Sequence, residues 1–377
     1  MRFSVTNVLN GIEIRKGGKQ MPNEILINGH SVGGDNHTYI IAELSANHHQ
    51  SYDEAVKLIR AAKDSVVDAV KLQTYTADTI TIKSDRDIFR IGKGTIWEGR
   101  TLYDLYAEAY TPWEWQPKLK KIAEGLGLDC FSSPFDNTAV DFLEKMNVPA
   151  YKVASFELVD LPLIRKIAHT GKPVIMSTGM ATLGEIAEAV TAAREAGCRE
   201  LALLKCTSGY PADPAEMNLR TIPHLSEAFG VPVGLSDHTL GIAAPVAAVA
   251  LGACIIEKHL TLSRGVPGPD AAFSLEPDEF RAMVEAVRMA EKALGRVHYG
   301  VSEREAASRP FRRSLFVVKD VKRGELFTTD NVRSIRPGHG LHTRYWNEVI
   351  GRRAILDIPA GTPLSWNLIG RGGNNGE

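Results

Sequence analysis

Eight short apolar runs, each followed by a stretch of helical period, constrain the fold of this chain more than any other feature. They are TYIIAEL (38–44), AVKLQT (69–74), DCFSSPF (129–135), AYKVAS (150–155), PVIMST (173–178), LALLKCT (201–207), PVGLSDHT (232–239) and ACIIEKHL (253–260). Most are nearly continuous in apolar residues, the pattern of parallel strands buried on both faces. Between them lie helix-like stretches such as Asp53–Ser65, Trp113–Leu126, Thr182–Ala196 and Pro277–Leu294. Thr182 with Glu185 three residues on reads as a capping box, and Gly197 as the stop of that helix. Eight β/α units before about residue 295 predict an α/β protein built on a (β/α)8 TIM barrel rather than an open doubly wound sheet. No GxGxxG follows the first run, which weakens a dinucleotide-binding alternative.

The 377 residues suit one large domain plus a small one. Residues 1–37 read as an N-terminal extension and lead-in, 38–294 as the barrel and 295–310 as a polar linker. Residues 311–370 hold short strands and turns, a compact β-rich module, and 371–377 form a tail. Residues 1–20 are assigned no function, and Met21 is an alternative start. The segment Thr79–Tyr110 interrupts the rhythm; it is long, mixed and aromatic, as a functional loop at the barrel rim would be.

A net charge of −1 provides no global basic field for nucleic acid or a membrane surface. No apolar run reaches the roughly 20 residues of a membrane span, and the first residues lack the apolar centre of a signal peptide, so a cytoplasmic protein is expected. The four cysteines form no CxxC pair and no zinc-type spacing, a usage that fits a reducing compartment.

In a (β/α)8 barrel the chemistry sits at the C-terminal ends of the strands. Every run here ends in polar groups: Glu43 with Asn47 and His48; Lys71 and Gln73; Ser132 and Ser133; Lys152, Ser155 and Glu157; Ser177 and Thr178; Thr207, Ser208 and Tyr210; Ser236, Asp237 and His238; Glu257, Lys258 and His259. Lysines and hydroxyls there can hold a phosphate or carboxylate. Two histidines on adjacent strands can bind a divalent metal and leave positions for water and substrate, and carboxylates can move protons. The bland readings stand beside these. A lone strand-end histidine is usually a hydrogen-bonded structural residue, Ser155, Ser177 and Ser236 could simply cap helices, and Arg336 is ordinarily a solvated loop residue. A lysine such as Lys71 or Lys152 inside an apolar run is costly to bury unless it meets an anion.

These motifs resemble the sialic acid synthases, which condense phosphoenolpyruvate with an N-acetylated aldose to make a nonulosonic acid. The resemblance is carried by IAELSANH, KLQTYT, SSPF, YKVASFE, STGM, LKCTSGYP, GLSDHT, IEKH and PGPD, in order along the chain. The C-terminal module resembles the SAF, or antifreeze-like, domain. Within the family, IIAELSANH, LYDLYAEAYTPWEW and CFSSPF are similar to the branch that makes pseudaminic acid, whose sugar is 2,4-diacetamido-2,4,6-trideoxy-L-altrose. GVPGPD resembles the neuraminate and legionaminate branches instead.

The resemblance implies that His238 and His259 ligate a divalent metal, Mn2+ or Mg2+ with Co2+ as a further candidate, and that Glu43 and Glu157 handle protons. It implies that Lys71, Ser133, Lys152, Ser155, Ser177, Ser208 and Ser236 hold phosphoenolpyruvate. Tyr210 and Asp270 would contact the sugar. Arg336 would reach the partner's site in a domain-swapped homodimer. Ser208 departs from an asparagine and Ser133 from a threonine of the neuraminate branch. A second enzyme reading is a synthase acting on a phosphorylated aldose, which would lack the SAF module. A reading of another class is a carbohydrate-binding protein on a degenerate barrel, against which the complete set of polar strand ends argues.

Overall fold

The computed structural model describes residues 24–370, in two compact units that part between Gly295 and Arg296. The expected N-terminal extension and the C-terminal tail lie largely outside the described residues. In the first unit eight parallel strands close a barrel in the order β10-β3-β4-β5-β6-β7-β8-β9. They are β3 (Tyr39–Glu43), β4 (Ala69–Thr74), β5 (Asp129–Pro134), β6 (Tyr151–Val153), β7 (Val174–Ser177), β8 (Leu201–Cys206), β9 (Val233–Asp237) and β10 (Ile255–His259). Each falls within a run read as a strand. Their residues are buried on both faces because helices wrap the outside, as continuous apolar runs demand. The barrel closes where β10 pairs with β3, which sets His259 opposite Glu43.

The helices follow the expected punctuation. Leu183–Glu195 starts on a capping box, in which Thr182 Oγ1 accepts from the Glu185 amide while the Glu185 carboxylate accepts from the Thr182 amide. Pro277–Leu294 carries proline in its first turn, where a missing N–H costs nothing.

The lead-in contains a hairpin that the sequence reading did not name. β1 (Glu24–Ile27) and β2 (His30–Gly33) form an antiparallel hairpin. Asn28 and Gly29 turn it with φ of 49° and 88°, the left-handed pair that a two-residue hairpin requires. Ile25, Ile27 and Val32 enter the barrel core. Asn28 and His30 reach the Asp129 carboxylate at the start of β5, at 2.6 and 2.9 Å. The hairpin therefore covers the N-terminal end of the barrel and leaves the C-terminal end for chemistry.

The second unit has its own core, including Leu315, Val317, Phe327, Val332 and Val349, around the antiparallel pair β11 (Ser314–Val317) and β12 (Val332–Ile335). No helix among the described residues is long and apolar enough to cross a membrane.

Candidate active site

Strand alternation aims every second side chain into the barrel. At the C-terminal ends this gathers Glu43, Lys71, Ser133, Lys152, Ser177, Ser236 and Glu257 into one buried network. Lys71 Nζ lies 2.6 Å from Glu43 and 3.1 Å from Glu257, and donates to Ser133 Oγ at 3.4 Å. Lys152 Nζ donates to Ser177 Oγ at 2.6 Å and stands 3.8 Å from Glu257. Ser236 Oγ donates to Glu257 at 3.2 Å. Two ammonium groups thus face two carboxylates, with hydroxyls on the perimeter.

Burial works differently on each group. It raises the Glu43 carboxyl above its ordinary value, and Lys71 only partly offsets it. It also pushes Glu257 upward, but Lys152 and Lys71 outweigh it and hold that carboxylate below the usual range. Burial brings Lys152 down to about 8 against the attraction of Glu257. Lys71, between two carboxylates, ends above its ordinary value although burial opposes this. Two carboxyl groups sharing one lysine are thus pushed apart in proton affinity. Glu157, on the short 3-10 turn after β6, is raised to about 7, mainly by burial, and its Oε2 has no hydrogen-bond partner.

The histidines face each other beside this network, with ring centroids 5.4 Å apart. His238 Nδ1 lies 3.1 Å from the Thr207 carbonyl, which can only accept, so Nδ1 carries the hydrogen and Nε2 is left free. In His259, Nδ1 is buried and has no partner. Burial, helped by the charges of His238 and the lysines, holds His259 well below its ordinary pKa. In His238 burial acts the same way, but the neighbouring Cys206 outweighs it and the net shift is upward. Among the described residues no three His, Cys, Asp or Glu side chains converge as a ligand set. The donor set therefore fits a cation held by two imidazoles and completed by water or substrate oxygens, not a closed structural site.

A third group of residues surrounds the turn after β7. A Cβ on Gly179 would strike Ser208 Oγ and stand 2.7 Å from Ser155 Oγ. The Gly179 amide donates to Ser155 Oγ at 3.2 Å. A backbone stripped of its side chain and lined by hydroxyls is a cradle suited to an anion. Tyr210 lies beyond it, its ring 4.5 Å from His238 and 5.2 Å from Phe273. Asp270 accepts from the Ala46 amide at 3.2 Å.

This chain matches the NeuB family over residues 58–299 and the SAF domain over 312–369. The chain belongs to the NeuB family. It is 47% identical over 330 residues to a pseudaminic acid synthase of Campylobacter jejuni, spanning 88% of this chain and 96% of that one. It is 44% identical over 333 residues to the pseudaminic acid synthase of Helicobacter pylori, spanning 88% and 98%. The solved N-acetylneuraminic acid synthetase of Leptospira borgpetersenii superposes with a TM-score of 0.67 at 30% identity, over 76% of this chain and 94% of that one.

Not every polar strand end of this NeuB-family chain belongs to the site. Asn47 donates to the Leu260 carbonyl and Ser274, both at 2.9 Å, and His48 bonds Thr111 at 3.1 Å. Ser132 and Thr74 bond each other at 2.6 Å. These side chains bond to neighbouring side chains and backbone. Arg336 stands exposed in the second unit, just after β12. Three residues outside the assigned roles are central: Glu257, Gly179 and Phe273, whose ring packs 4.9 Å from His259. The signal for Glu257 was its position two before His259, on the same face of one strand.

Proposed function

We propose that this chain condenses phosphoenolpyruvate with 2,4-diacetamido-2,4,6-trideoxy-L-altrose, forming pseudaminic acid and releasing phosphate. The observation that carries the reaction is the placement of Lys71, Lys152 and the hydroxyl cradle at Gly179 beside His238 and His259 on one barrel rim. The choice of sugar rests on the 44% and 47% identities to pseudaminic acid synthases. The PGPD segment ending at Asp270 favours a second reading, a neuraminate or legionaminate synthase of the same family.

The methylene carbon of phosphoenolpyruvate attacks the aldehyde of the open-chain sugar, water adds to the resulting oxocarbenium carbon, and phosphate leaves with carbon–oxygen cleavage. A divalent cation, Mn2+ or Mg2+, held by His238 and His259 supplies Lewis-acid polarisation of the aldehyde when bound. Lys71 and Lys152 neutralise the carboxylate and phosphate and fix their orientation, which makes a two-substrate step effectively unimolecular. Ser133, Ser155, Ser177 and Ser208 direct hydrogen bonds at the same anion, and Ser236 joins them by turning its hydroxyl away from Glu257. Glu43, with its raised pKa, is placed to give a proton to the developing alkoxide. Glu157 is placed to take one from the attacking water. Tyr210 and Asp270 line the sugar side. The SAF module would cover the barrel mouth of a second copy and bring the partner subunit's Arg336 to the sugar. The linker between barrel and module would be long enough for that exchange.

Mass spectrometry of products from phosphoenolpyruvate and a panel of N-acetylated and phosphorylated aldoses tests the reaction. A nonulosonate from the diacetamido altrose is expected, and turnover of phosphorylated aldoses alone would refute it. Mixing Arg336→Ala with His238→Ala chains tests the swap: confirmed mixed dimers should recover activity, and no recovery would refute it.

A further inference from the structure

The insertion between β4 and the helix Leu102–Ala109 ends in a tight tip, closed where Ile91 donates to the Arg100 carbonyl at 2.9 Å and Gly99 to that of Ile91 at 3.0 Å. The tip carries one aromatic residue, Trp97. Its indole Nε1 donates to the Pro269 carbonyl at 2.9 Å, across 172 residues of chain. Its ring packs on Tyr210 with centroids 5.4 Å apart. A single side chain therefore ties the insertion to the loops after β8 and β10. The segment it grips is fixed from the other side as well. A Cβ on Gly268 would lie 2.6 Å from the His49 ring, and Asp270 accepts from Ala46.

Tyr210 stands between Trp97 and His238. On the reaction proposed above, a sugar with its aldehyde at the two histidines would run outward along Tyr210 toward Trp97. Trp97 itself offers only a ring face there, because its one N–H is already committed to Pro269. Ring faces suit C–H edges and methyl groups, whereas a terminal hydroxyl there would exchange water for an apolar surface.

We propose that Trp97 is a specificity-determining residue, the outer wall of the sugar site, selecting an N-acylated deoxy aldose with an apolar distal end over a fully hydroxylated one. This rests on the reaction proposed above and specifies its substrate class. An apolar pocket discriminates against an added hydroxyl by at most about a hundredfold, so the wall is a moderate sieve.

The test compares wild type, Trp97→Ala and Trp97→Phe with 2,4-diacetamido-2,4,6-trideoxy-L-altrose and with N-acetylmannosamine, after circular dichroism establishes that each variant is folded. Trp97→Ala should raise KM for the deoxy sugar by about tenfold, with kcat and the KM for phosphoenolpyruvate changed by less than about twofold. The preference for the deoxy sugar should collapse accordingly, and Trp97→Phe should retain most of it. Equal effects on both sugars, or no effect, would overturn the proposal. If the wild type forms product from neither sugar, the proposed reaction fails, and the wall is then read by titration calorimetry of the two aldoses. A Trp97-dependent preference for the deoxy sugar supports it, and no such preference overturns it.

Discussion

Asp237 and Lys258 sit between the residues that make the site, on the other face of the same strands. β9 and β10 pair Lys258 with Asp237 in register. By alternation, Ser236 and Glu257 point into the barrel, and Asp237 and Lys258 point out, toward the helical layer. Both side chains are fully buried, with Lys258 Nζ 2.5 Å from Asp237 Oδ2 and 2.6 Å from the Thr239 carbonyl. The other carboxylate oxygen accepts from the Thr239 amide at 2.9 Å. The pair clamps together the two strand ends that carry His238 and His259. Replacing Asp237 by Asn leaves a buried ammonium without its counter-charge, which costs about 3–5 kcal/mol. For a unit of this size that lowers Tm by roughly 10 °C. Burial already lowers the Lys258 pKa although Asp237 opposes it. Without the carboxylate it falls further, so the folded state binds fewer protons than the unfolded state across a wider window. The deficit in Asp237→Asn should therefore shrink as pH rises above neutral. Adding Lys258→Met removes the orphaned charge and should recover most of the loss. Denaturant unfolding of the three variants measures this. An Asp237→Asn protein within about 1 kcal/mol of wild type would refute the reasoning.

Two further outcomes follow from the site geometry. Gly179→Ala drives a methyl group into Ser155 and Ser208. It should raise KM for phosphoenolpyruvate by more than about tenfold at a stability cost of about 1–3 kcal/mol, checked by kinetics and melting. His238→Ala and His259→Ala should each abolish Mn2+ binding, followed by electron paramagnetic resonance, without unfolding the barrel. Binding should also weaken below neutral pH, because a ligand imidazole must be unprotonated.

The barrel was legible because its strands are buried on both faces, so that stretches such as YIIA in β3, VIM in β7 and LALL in β8 stand out as apolar before the polar strand ends. The site was legible to the extent that a strand end fixes a side chain's direction. Period two puts Lys71, Lys152 and His259 on the inward face of their strands, whereas their roles, and that of His238, came from the family resemblance. Loops carry no such rule. Nothing in sequence spacing brings Trp97 to Pro269, or Gly179 against Ser208, since both contacts depend on how a turn closes. The hairpin at 24–33 went unread because its strands are four residues long, although Asn28-Gly29 was the available signal. Asn47 and His48, polar residues just past a strand end, bond to a backbone carbonyl and to hydroxyl groups, a contact that strand period does not foretell.

The charge balance of the network predicts how it responds to substrate. Lys71 and Lys152 face Glu43 and Glu257, so the cluster is close to neutral and a multiply charged anion entering it leaves a negative excess. The two groups best placed to absorb that excess are those whose pKa values burial has already moved toward neutrality. Burial brings Lys152 down to about 8, so it gives up its proton more readily than an ordinary lysine, and an adjacent anion favours its protonated form. Glu43 is raised by burial, and the same anion raises it further. Phosphoenolpyruvate binding at pH 8 should therefore take up protons, mainly at Lys152 with a further contribution from Glu43. Calorimetric titration in buffers of different ionisation enthalpy measures the uptake directly. Lys152→Met should remove the larger share and weaken binding, whereas Glu43→Gln should remove the smaller share and leave the anion bound. Proton release, or no exchange at pH 8, would mean that the lysines are fully charged before substrate arrives and that the site is tuned by something other than burial.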